Sequence, residues 1–260
     1  MDVLRAEGIT LGYGKTPVLR DVTFGVPGGS VFGIIGPNGA GKTTLFKALS
    51  RLVKPWKGTV SYRGADVWGI PRRQFARKVA VIPQFRSVPP PFTVSEFVSM
   101  GRYPHAGRLS RQGREDERVV AEAMELLDVA GFGHKLVSSL SGGEMQRVFL
   151  AQGLAQSPEL ILMDEPTAHL DIGQKIRALD LMKSLSRGGR LTTLVILHDL
   201  NLAGMYCDRL IMMHRGVIHA EGTPEEVLTG KHIAEVYGMP VRVGLDAATS
   251  KPHIFFLPQG

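Results

Sequence analysis

The chain has 260 residues, with 31 lysines and arginines against 24 aspartates and glutamates, which gives a formal net charge of +7 at pH 7. Its 43% hydrophobic and 21% charged residues are ordinary for a globular protein and exclude a disordered, collagen-like or disulfide-scaffold chain. The single cysteine excludes an internal disulfide and fits a reducing compartment. Every apolar run is shorter than the roughly 18 residues that span a bilayer, so we expect no membrane helix. The positive charge alone does not distinguish nucleic acid, a membrane surface or a polyphosphate as the partner.

The first part of the chain predicts strands, then a glycine loop, then a helix. Residues 3–9, 18–24 and 30–35 have the composition of short strands, and the segment 36–41 is a glycine-rich loop. From Lys42 onward apolar residues recur at helical spacing. The predicted buried face of this helix consists of Leu45, Ala48, Leu49 and Leu52.

The predicted secondary structure of the rest of the chain changes twice. Residues 58–82 predict further strands and end before a break at Pro89 to Pro91, whereas 93–155 read mainly as helix. After Pro158 strands and helices alternate, which predicts a parallel sheet covered by helices. The predicted buried face of the helix near residues 115–129 is formed by Val119, Ala123, Leu126 and Leu127.

The glycine loop matches the pattern G-x-x-x-x-G-K-[ST], in which successive backbone amides bind phosphates at a helix N-terminus. The lysine of this pattern reaches the β- and γ-phosphates and the next hydroxyl ligates Mg²⁺. A plain strand-to-helix turn is the structural alternative. The nucleotide-binding segment predicted here comprises Gly36, Pro37, Asn38, Gly39, Ala40, Gly41, Lys42, Thr43 and Thr44.

Two acids follow the apolar run Leu160 to Met163. A buried parallel strand presents its carboxyl end to the ligand crevice of a sheet. Asp164 therefore suits a magnesium ion held through water, and Glu165 suits the orientation or deprotonation of an attacking water. The alternative is a surface or helix-capping acid.

A third motif, Ser141, Gly142, Gly143 and Glu144, predicts a capping box at the start of a helix. Two glycines in the first turn cost roughly 1 kcal/mol each relative to alanine, which indicates that another group approaches the backbone closely. An anion at the positive end of the helix is the natural candidate.

Together these three motifs, at this spacing, resemble those of the ATP-binding subunit of ABC transporters, over roughly residues 3–235. The resemblance implies an α/β fold: a RecA-like P-loop NTPase core with an N-terminal antiparallel β subdomain and an inserted α-helical subdomain. Within a single domain 1–260, it places the core and β subdomain in 1–86 and 156–238, the helical subdomain in 87–155, and a C-terminal extension in 239–260.

The same resemblance implies roles for four further residues. Tyr13 is similar to the aromatic residue that stacks on adenine. Gln84 resembles the glutamine that senses magnesium and the attacking water, and His198 resembles the switch histidine that contacts the γ-phosphate. Asp171 resembles the aspartate of the loop that passes between subunits.

In that family the serine-glycine-glycine segment of one subunit closes over ATP held by the P-loop of another. The resemblance therefore implies ATP and Mg²⁺ as cofactors, a homodimer with two shared sites, and integral-membrane permease partners. It places the chain at the cytoplasmic face of the cell membrane, with an extracytoplasmic substrate-binding protein as an indirect partner and no nucleic acid.

The segments Phe92 to Glu96, Gly101 to His105 and Thr167 to Ile172 resemble those of importers for iron-siderophores, haem and cobalamin. Importers of other metals or of oxyanions are alternatives. So are a soluble ABC ATPase of iron-sulfur assembly, translation or DNA repair, and a P-loop kinase, although the kinase leaves the Ser141 motif unexplained.

Overall fold

The computed structural model describes residues 2–84, 91–106, 113–166, 170–189 and 191–257. They form two compact units, one made of residues 1–69 and 186–260 and the other of residues 70–185. Pro89, Pro90 and the segment from Thr167 to His169 lie outside the described residues. No helix within the described ranges is both long and apolar enough to cross a bilayer. The subdomain boundaries given above stay a prediction.

The elements of the described chain are as follows. The strands are β1 (Asp2–Tyr13), β2 (Thr16–Pro27), β3 (Val31–Ile35), β4 (Lys57–Tyr62), β5 (Ala65–Asp66), β6 (Val79–Ile82), β7 (Leu160–Asp164), β8 (Thr192–Ile196), β9 (Arg209–His214), β10 (Val217–Gly222), β11 (Val241–Leu245) and β12 (Pro252–Phe256). The helices are α1 (Lys42–Leu49), α2 (Arg72–Ala76), α3 (Val94–Ser99), α4 (Arg114–Leu126), α5 (Gly142–Ala155), α6 (Ile172–Arg187), α7 (Leu200–Tyr206), α8 (Pro224–Val227) and α9 (Gly230–Tyr237).

The first unit contains an antiparallel sheet in the order β2-β1-β4-β5. Leu4 and Ala6 of β1 are buried, and so are Ile9 and Leu11, which follow a register shift between Ala6 and Ile9. Alternation on each side of that shift gives the strand its apolar positions. In the same unit β3 pairs in parallel with β8 on one side and β9 on the other, and β10 pairs antiparallel with β9. Both β3 and β8 are buried throughout, as expected for parallel strands covered on two faces.

The second unit combines a parallel strand pair with helices. β6 and β7 run parallel, with Ile82 opposite Met163. Helices α3 and α5 contact through an edge-to-face pair of Phe97 and Phe149. Thr93 caps α3 through a capping box, as its sequence predicts. The mainly helical character expected for residues 93–155 is confirmed for the described part of that range.

Two predicted helix faces are wrong in part. Helix α1 ends at Leu49 and Arg51 has a φ of 60°, so Leu52 lies beyond the helix and is 62% exposed. In α4 the buried face is rotated, because Leu126 is 53% exposed. The residues buried along and just after α4 are Val120, Ala123, Met124 and Leu127.

The tail, which the sequence left without clear elements, forms a hairpin. β11 pairs with β12, and Val243 lies opposite Ile254. The Asn201 side chain at α7 accepts a hydrogen bond from the Ile254 amide at 2.7 Å, and the Ile254 side chain is buried. The hairpin is thereby attached to the first unit.

Candidate nucleotide-binding site

The glycine loop lies between β3 and α1 in the first unit. Gly36, Gly39 and Gly41 have φ values of 145°, 79° and 102°, a region that residues with a side chain rarely adopt. A Cβ on Gly36 would stand 2.4 Å from the Met213 carbonyl oxygen of β9. The loop therefore needs its glycines both for backbone conformation and for packing against β9.

Lys42, the first residue of α1, is folded against the loop that precedes it. Its Nζ donates hydrogen bonds to the carbonyl oxygens of Gly36, at 2.8 Å, and Pro37, at 3.0 Å. The side chain is buried. The ammonium group is therefore at the helix N-terminus, where the loop amides and the helix dipole favour an anion. Thr43 is exposed beside it and Thr44 is buried.

Tyr13, at the end of β1, contacts α1. Its hydroxyl accepts a hydrogen bond from Lys47 Nζ at 3.1 Å, and the same Nζ lies 5.4 Å from the ring centroid. Hydrogen bonding to Thr44 and then to Lys47 lowers the pKa of the Tyr13 hydroxyl. Tyr13 is 53% exposed, so its ring is accessible for stacking beside α1.

His198 follows β8 directly. Because β8 runs parallel to β3, with Ile196 opposite Ile34, both strands end at the same edge of the sheet. That edge also carries the glycine loop, which follows β3. His198 is exposed, and its neighbour Asp199 caps α7 by accepting hydrogen bonds from the amides of Asn201 and Leu202.

Gln84 and Glu165 come together at the ends of β6 and β7 in the second unit. Gln84 Nε2 donates a hydrogen bond to Glu165 Oε2 at 2.5 Å. Glu165 has a φ of 52° and Asp164, at the end of β7, is buried. The parallel register of β6 and β7 explains the contact, which the sequence motifs did not predict.

The Ser141 motif forms the capping box that its sequence predicts. Ser141 Oγ accepts a hydrogen bond from the Glu144 amide at 3.3 Å, and the Ser141 amide donates to Glu144 Oε2 at 2.8 Å. That amide holds the pKa of the Glu144 carboxyl below its usual value. Ser141 and Gly142 are exposed at the start of α5. This helix N-terminus therefore presents its cap and first turn outward.

Asp171 caps α6, and Gln174 connects it to the Ser141 motif. Asp171 Oδ1 accepts a hydrogen bond from the Gln174 amide at 2.8 Å. A Cβ on Gly143 would lie 2.6 Å from Gln174 Oε1, so this side chain is the close neighbour that the second glycine accommodates. Sequence reasoning missed Gln174; its place three residues after a helix-capping aspartate was the available signal.

Tyr237 of α9 was also missed. Its hydroxyl is buried beside the backbone amide of Gly36, the first residue of the glycine loop. Burial raises the pKa of Tyr237 to about 12, although the Gly36 amide acts in the opposite direction. No periodicity in the sequence links positions 201 residues apart, so only the fold reveals this neighbour.

Comparison with known proteins identifies relatives that match nearly the whole chain. Residues 19–168 match the ABC transporter family model. The chain is 39% identical over 249 residues to the ferric enterobactin transport ATP-binding protein FepC of Escherichia coli K12, covering 96% of this chain and 92% of FepC. It is 37% identical to the probable siderophore transport system ATP-binding protein YusV of Bacillus subtilis, covering 97% and 92%. It is 40% identical to the cobalamin import ATP-binding protein BtuD of Halobacterium salinarum, covering 98% of this chain and 64% of BtuD.

Solved structures agree with these relatives. An ATP-binding cassette of an ABC transporter in its ADP conformation superposes with a TM-score of 0.80 at 27% identity, covering 92% of this chain and 98% of that one. A dimeric structure of a bacterial ABC transporter cassette gives a TM-score of 0.76 at 26% identity, covering 85% and 98%. The expected P-loop NTPase fold with its N-terminal antiparallel sheet is confirmed. The chain thus belongs to the ABC transporter family, as an ATP-binding subunit of the class of ATPases that drive transport.

Proposed function

We propose that this chain binds and hydrolyses ATP to energise an importer of metal chelates, most directly of iron-siderophores or cobalamin. The observation that carries the proposal is the exposure of Ser141 and Gly142 at the start of α5, in a chain that also contains a complete P-loop motif. The cargo class is supported by relatives that match nearly the whole chain, namely a ferric enterobactin transport protein and a cobalamin import protein. Haem, other metals and oxyanions are the alternative cargoes that transport assays distinguish.

In this function the glycine loop binds the ATP phosphates. Its amides and the α1 N-terminus supply partial positive charge, and the Lys42 ammonium moves from the carbonyl oxygens of Gly36 and Pro37 to the β- and γ-phosphates. The exposed ring of Tyr13 stacks on the adenine. Binding therefore combines electrostatic recognition of the phosphates with an apolar contact to the base.

Hydrolysis is assigned to Glu165, with Gln84 and His198 in supporting roles. The Glu165 carboxylate orients and deprotonates the water that attacks the γ-phosphate. Gln84, which holds Glu165 through its amide, positions that carboxylate. Thr43, Gln84 and Asp164 offer only oxygen ligands, which suit Mg²⁺, and the ion would neutralise phosphate charge when bound.

We further propose that the active assembly is a homodimer with two shared ATP sites. Ser141 and Gly142 contact the γ-phosphate of ATP that is bound by the P-loop of a second copy. The capping box with Glu144 and the small Gly143 hold the start of α5 in the conformation that this contact requires. Asp171 lies at the start of α6, on the loop assigned to the subunit boundary. In a two-fold dimer each chain supplies the P-loop of one ATP site and the Ser141 motif of the other, so each site requires both chains.

The proposed partners are integral-membrane permease subunits, with an extracytoplasmic binding protein as an indirect partner. The chain then works at the cytoplasmic face of the membrane, held there by the permease. This accounts for a charge of +7 without nucleic acid, since polyphosphate and an anionic membrane surface both favour a basic protein.

The test is co-purification of the tagged chain from its own membranes, followed by mass spectrometry and by uptake measurements in proteoliposomes. We expect a multi-helix permease to accompany the chain, and ATP-dependent uptake of a ferric siderophore or of cobalamin. A Lys42→Ala assembly should lose uptake, while Lys15→Ala, in the exposed turn after Tyr13, should retain it. Recovery only in the soluble fraction, with the permease present in the same cells, would overturn the transport proposal.

A further inference from the structure

The second unit contains a cavity of about 250 Å³ that none of the roles assigned above uses. Its walls come from the end of α4, from α5 and from α6. Much of the lining is aliphatic, with Leu126, Leu127, Ala178 and Leu181 facing the space. Such a surface gains free energy by covering apolar atoms of a guest.

The polar part of the lining is dominated by two arginines that come from different helices. Arg147 of α5 and Arg177 of α6 both line the cavity, and Asp128 is the one acid among the described residues that line it. The formal charge of these three groups is +1. A space with an aliphatic wall and a net positive charge favours a guest that has an apolar body and an anionic end.

Arg147 is the better placed of the two arginines. Its side chain is largely buried, and its Nε is shielded from solvent without a hydrogen-bond partner among the described residues. One terminal nitrogen donates to Asp128 Oδ2 at 3.1 Å, yet the Asp128 side chain is 95% exposed. An exposed acid is a weak partner for a buried guanidinium, so an acceptor inside the cavity is favoured over it.

We propose that this cavity is a binding site for a small amphipathic organic anion, such as a carboxylate with an aliphatic or aromatic body. The planar guanidinium of Arg147 presents parallel N–H donors that match the two oxygens of a carboxylate, and Nε supplies one of them. The volume of about 250 Å³ is just below the usual range of ligand sites, which limits the guest to a compact molecule.

The position of the cavity connects it to the Ser141 motif. Gln174 lines the cavity, and the same side chain is the close neighbour of Gly143. A guest therefore touches a residue that abuts the start of α5. The proposal goes beyond the proposed function and does not rest on it, because binding of the anion is measurable without ATP and without a permease.

The experiment uses calorimetric titration of the purified full chain with three probes of equal chain length: octanoate, octylamine and octanol. We expect saturable binding of octanoate at one site and no saturable binding of octylamine. Arg147→Gln and Arg177→Gln should each weaken octanoate binding on the order of tenfold, which is the typical effect of losing a charge-assisted hydrogen bond. Arg118→Gln, an exposed arginine of α4 outside the cavity lining, is the matched control and should leave it unchanged.

A variant that binds octanoate more tightly distinguishes a specific site from variants that lose binding because they are misfolded. Asp128→Asn removes the competing carboxylate, and its φ of 53° is a conformation that asparagine tolerates. We expect octanoate to bind this variant several-fold more tightly. The proposal is overturned if octanoate fails to saturate, if the neutral or cationic probe binds equally well, if the two cavity arginines behave like Arg118, or if Asp128→Asn leaves affinity unchanged.

Discussion

Gly36 and Gly39 form a matched pair for testing how tightly the glycine loop before α1 is constrained. Both have positive φ, 145° and 79°, in the same loop. A Cβ on Gly36 would lie 2.4 Å from the Met213 carbonyl oxygen and 3.3 Å from Ala40 Cβ, whereas a Cβ on Gly39 meets nothing within 4 Å. Alanine at position 39 therefore tests the backbone conformation alone. Alanine at position 36 tests the backbone conformation together with the close packing against β9.

The two substitutions should differ clearly in cost. Gly39→Ala only places an alanine in the left-handed backbone region, which should reduce the unfolding free energy by about 1 kcal/mol. Gly36→Ala costs about 1–3 kcal/mol for a backbone region essentially reserved for glycine. Displacing the β9 carbonyl adds about 1–3 kcal/mol more, as overpacking does elsewhere. The total of about 2–6 kcal/mol is a large part of a typical stability of about 5–15 kcal/mol.

Urea unfolding without nucleotide measures this difference, and binding of a fluorescent ATP analogue measures its consequence. Since Lys42 is hydrogen-bonded to the Gly36 carbonyl, a shifted loop should also lose ATP affinity. Equal losses of unfolding free energy in the two variants would refute the packing argument. If the Gly36→Ala protein were as stable as the parent, the argument from backbone conformation would be refuted as well.

Three further outcomes are expected. Glu165→Gln should reduce phosphate release by about 10²–10⁴-fold with little change in ATP affinity, because a general base is lost; turnover at the parent rate would remove Glu165 from the chemistry. Ser141→Ala should cost about 1 kcal/mol of stability through the helix cap and cripple turnover, while ATP affinity of the single chain stays unchanged; a matching loss of that affinity would contradict a shared site. Asp116 accepts a 2.8 Å hydrogen bond from the buried Arg102, which lowers the pKa of Asp116, so its stabilisation is present above the unfolded pKa of about 3.9 and is lost as pH falls through the folded value. Asp116→Asn should therefore reduce the unfolding free energy by about 2 kcal/mol at pH 7, and a difference that does not shrink as the pH falls would contradict this reasoning.

Local sequence signals predicted an element correctly where all the residues that form it lie within one short segment. The capping boxes at Thr93 and Ser141 form as predicted, because cap and acid are three residues apart. The strands around the glycine loop form where apolar runs predict them, since a run of that length can be buried only as a strand or a core helix. Leu52 is the instructive failure: helical spacing continues in the sequence after the helix itself has ended.

The Gln84–Glu165 contact depends on chain pairing. Each residue follows its own strand, and the hydrogen bond exists because β6 and β7 pair in parallel with their carboxyl ends together. The sequence indicated both residues but not their distance. Gln174 illustrates the same limit, because its contact with Gly143 joins two helices whose packing no local pattern specifies.

The glycine loop, the acid strand and the capped α5 follow from the sequence, because each is a short run of residues with its own backbone or capping requirement, and together these runs indicate the family. Tertiary structure alone decided that Tyr237 lies beside the Gly36 amide, that Gln174 fills the space left by Gly143, and that two arginines share a small cavity. These depend on how distant segments pack, and packing is set by the shape and burial of many side chains at once.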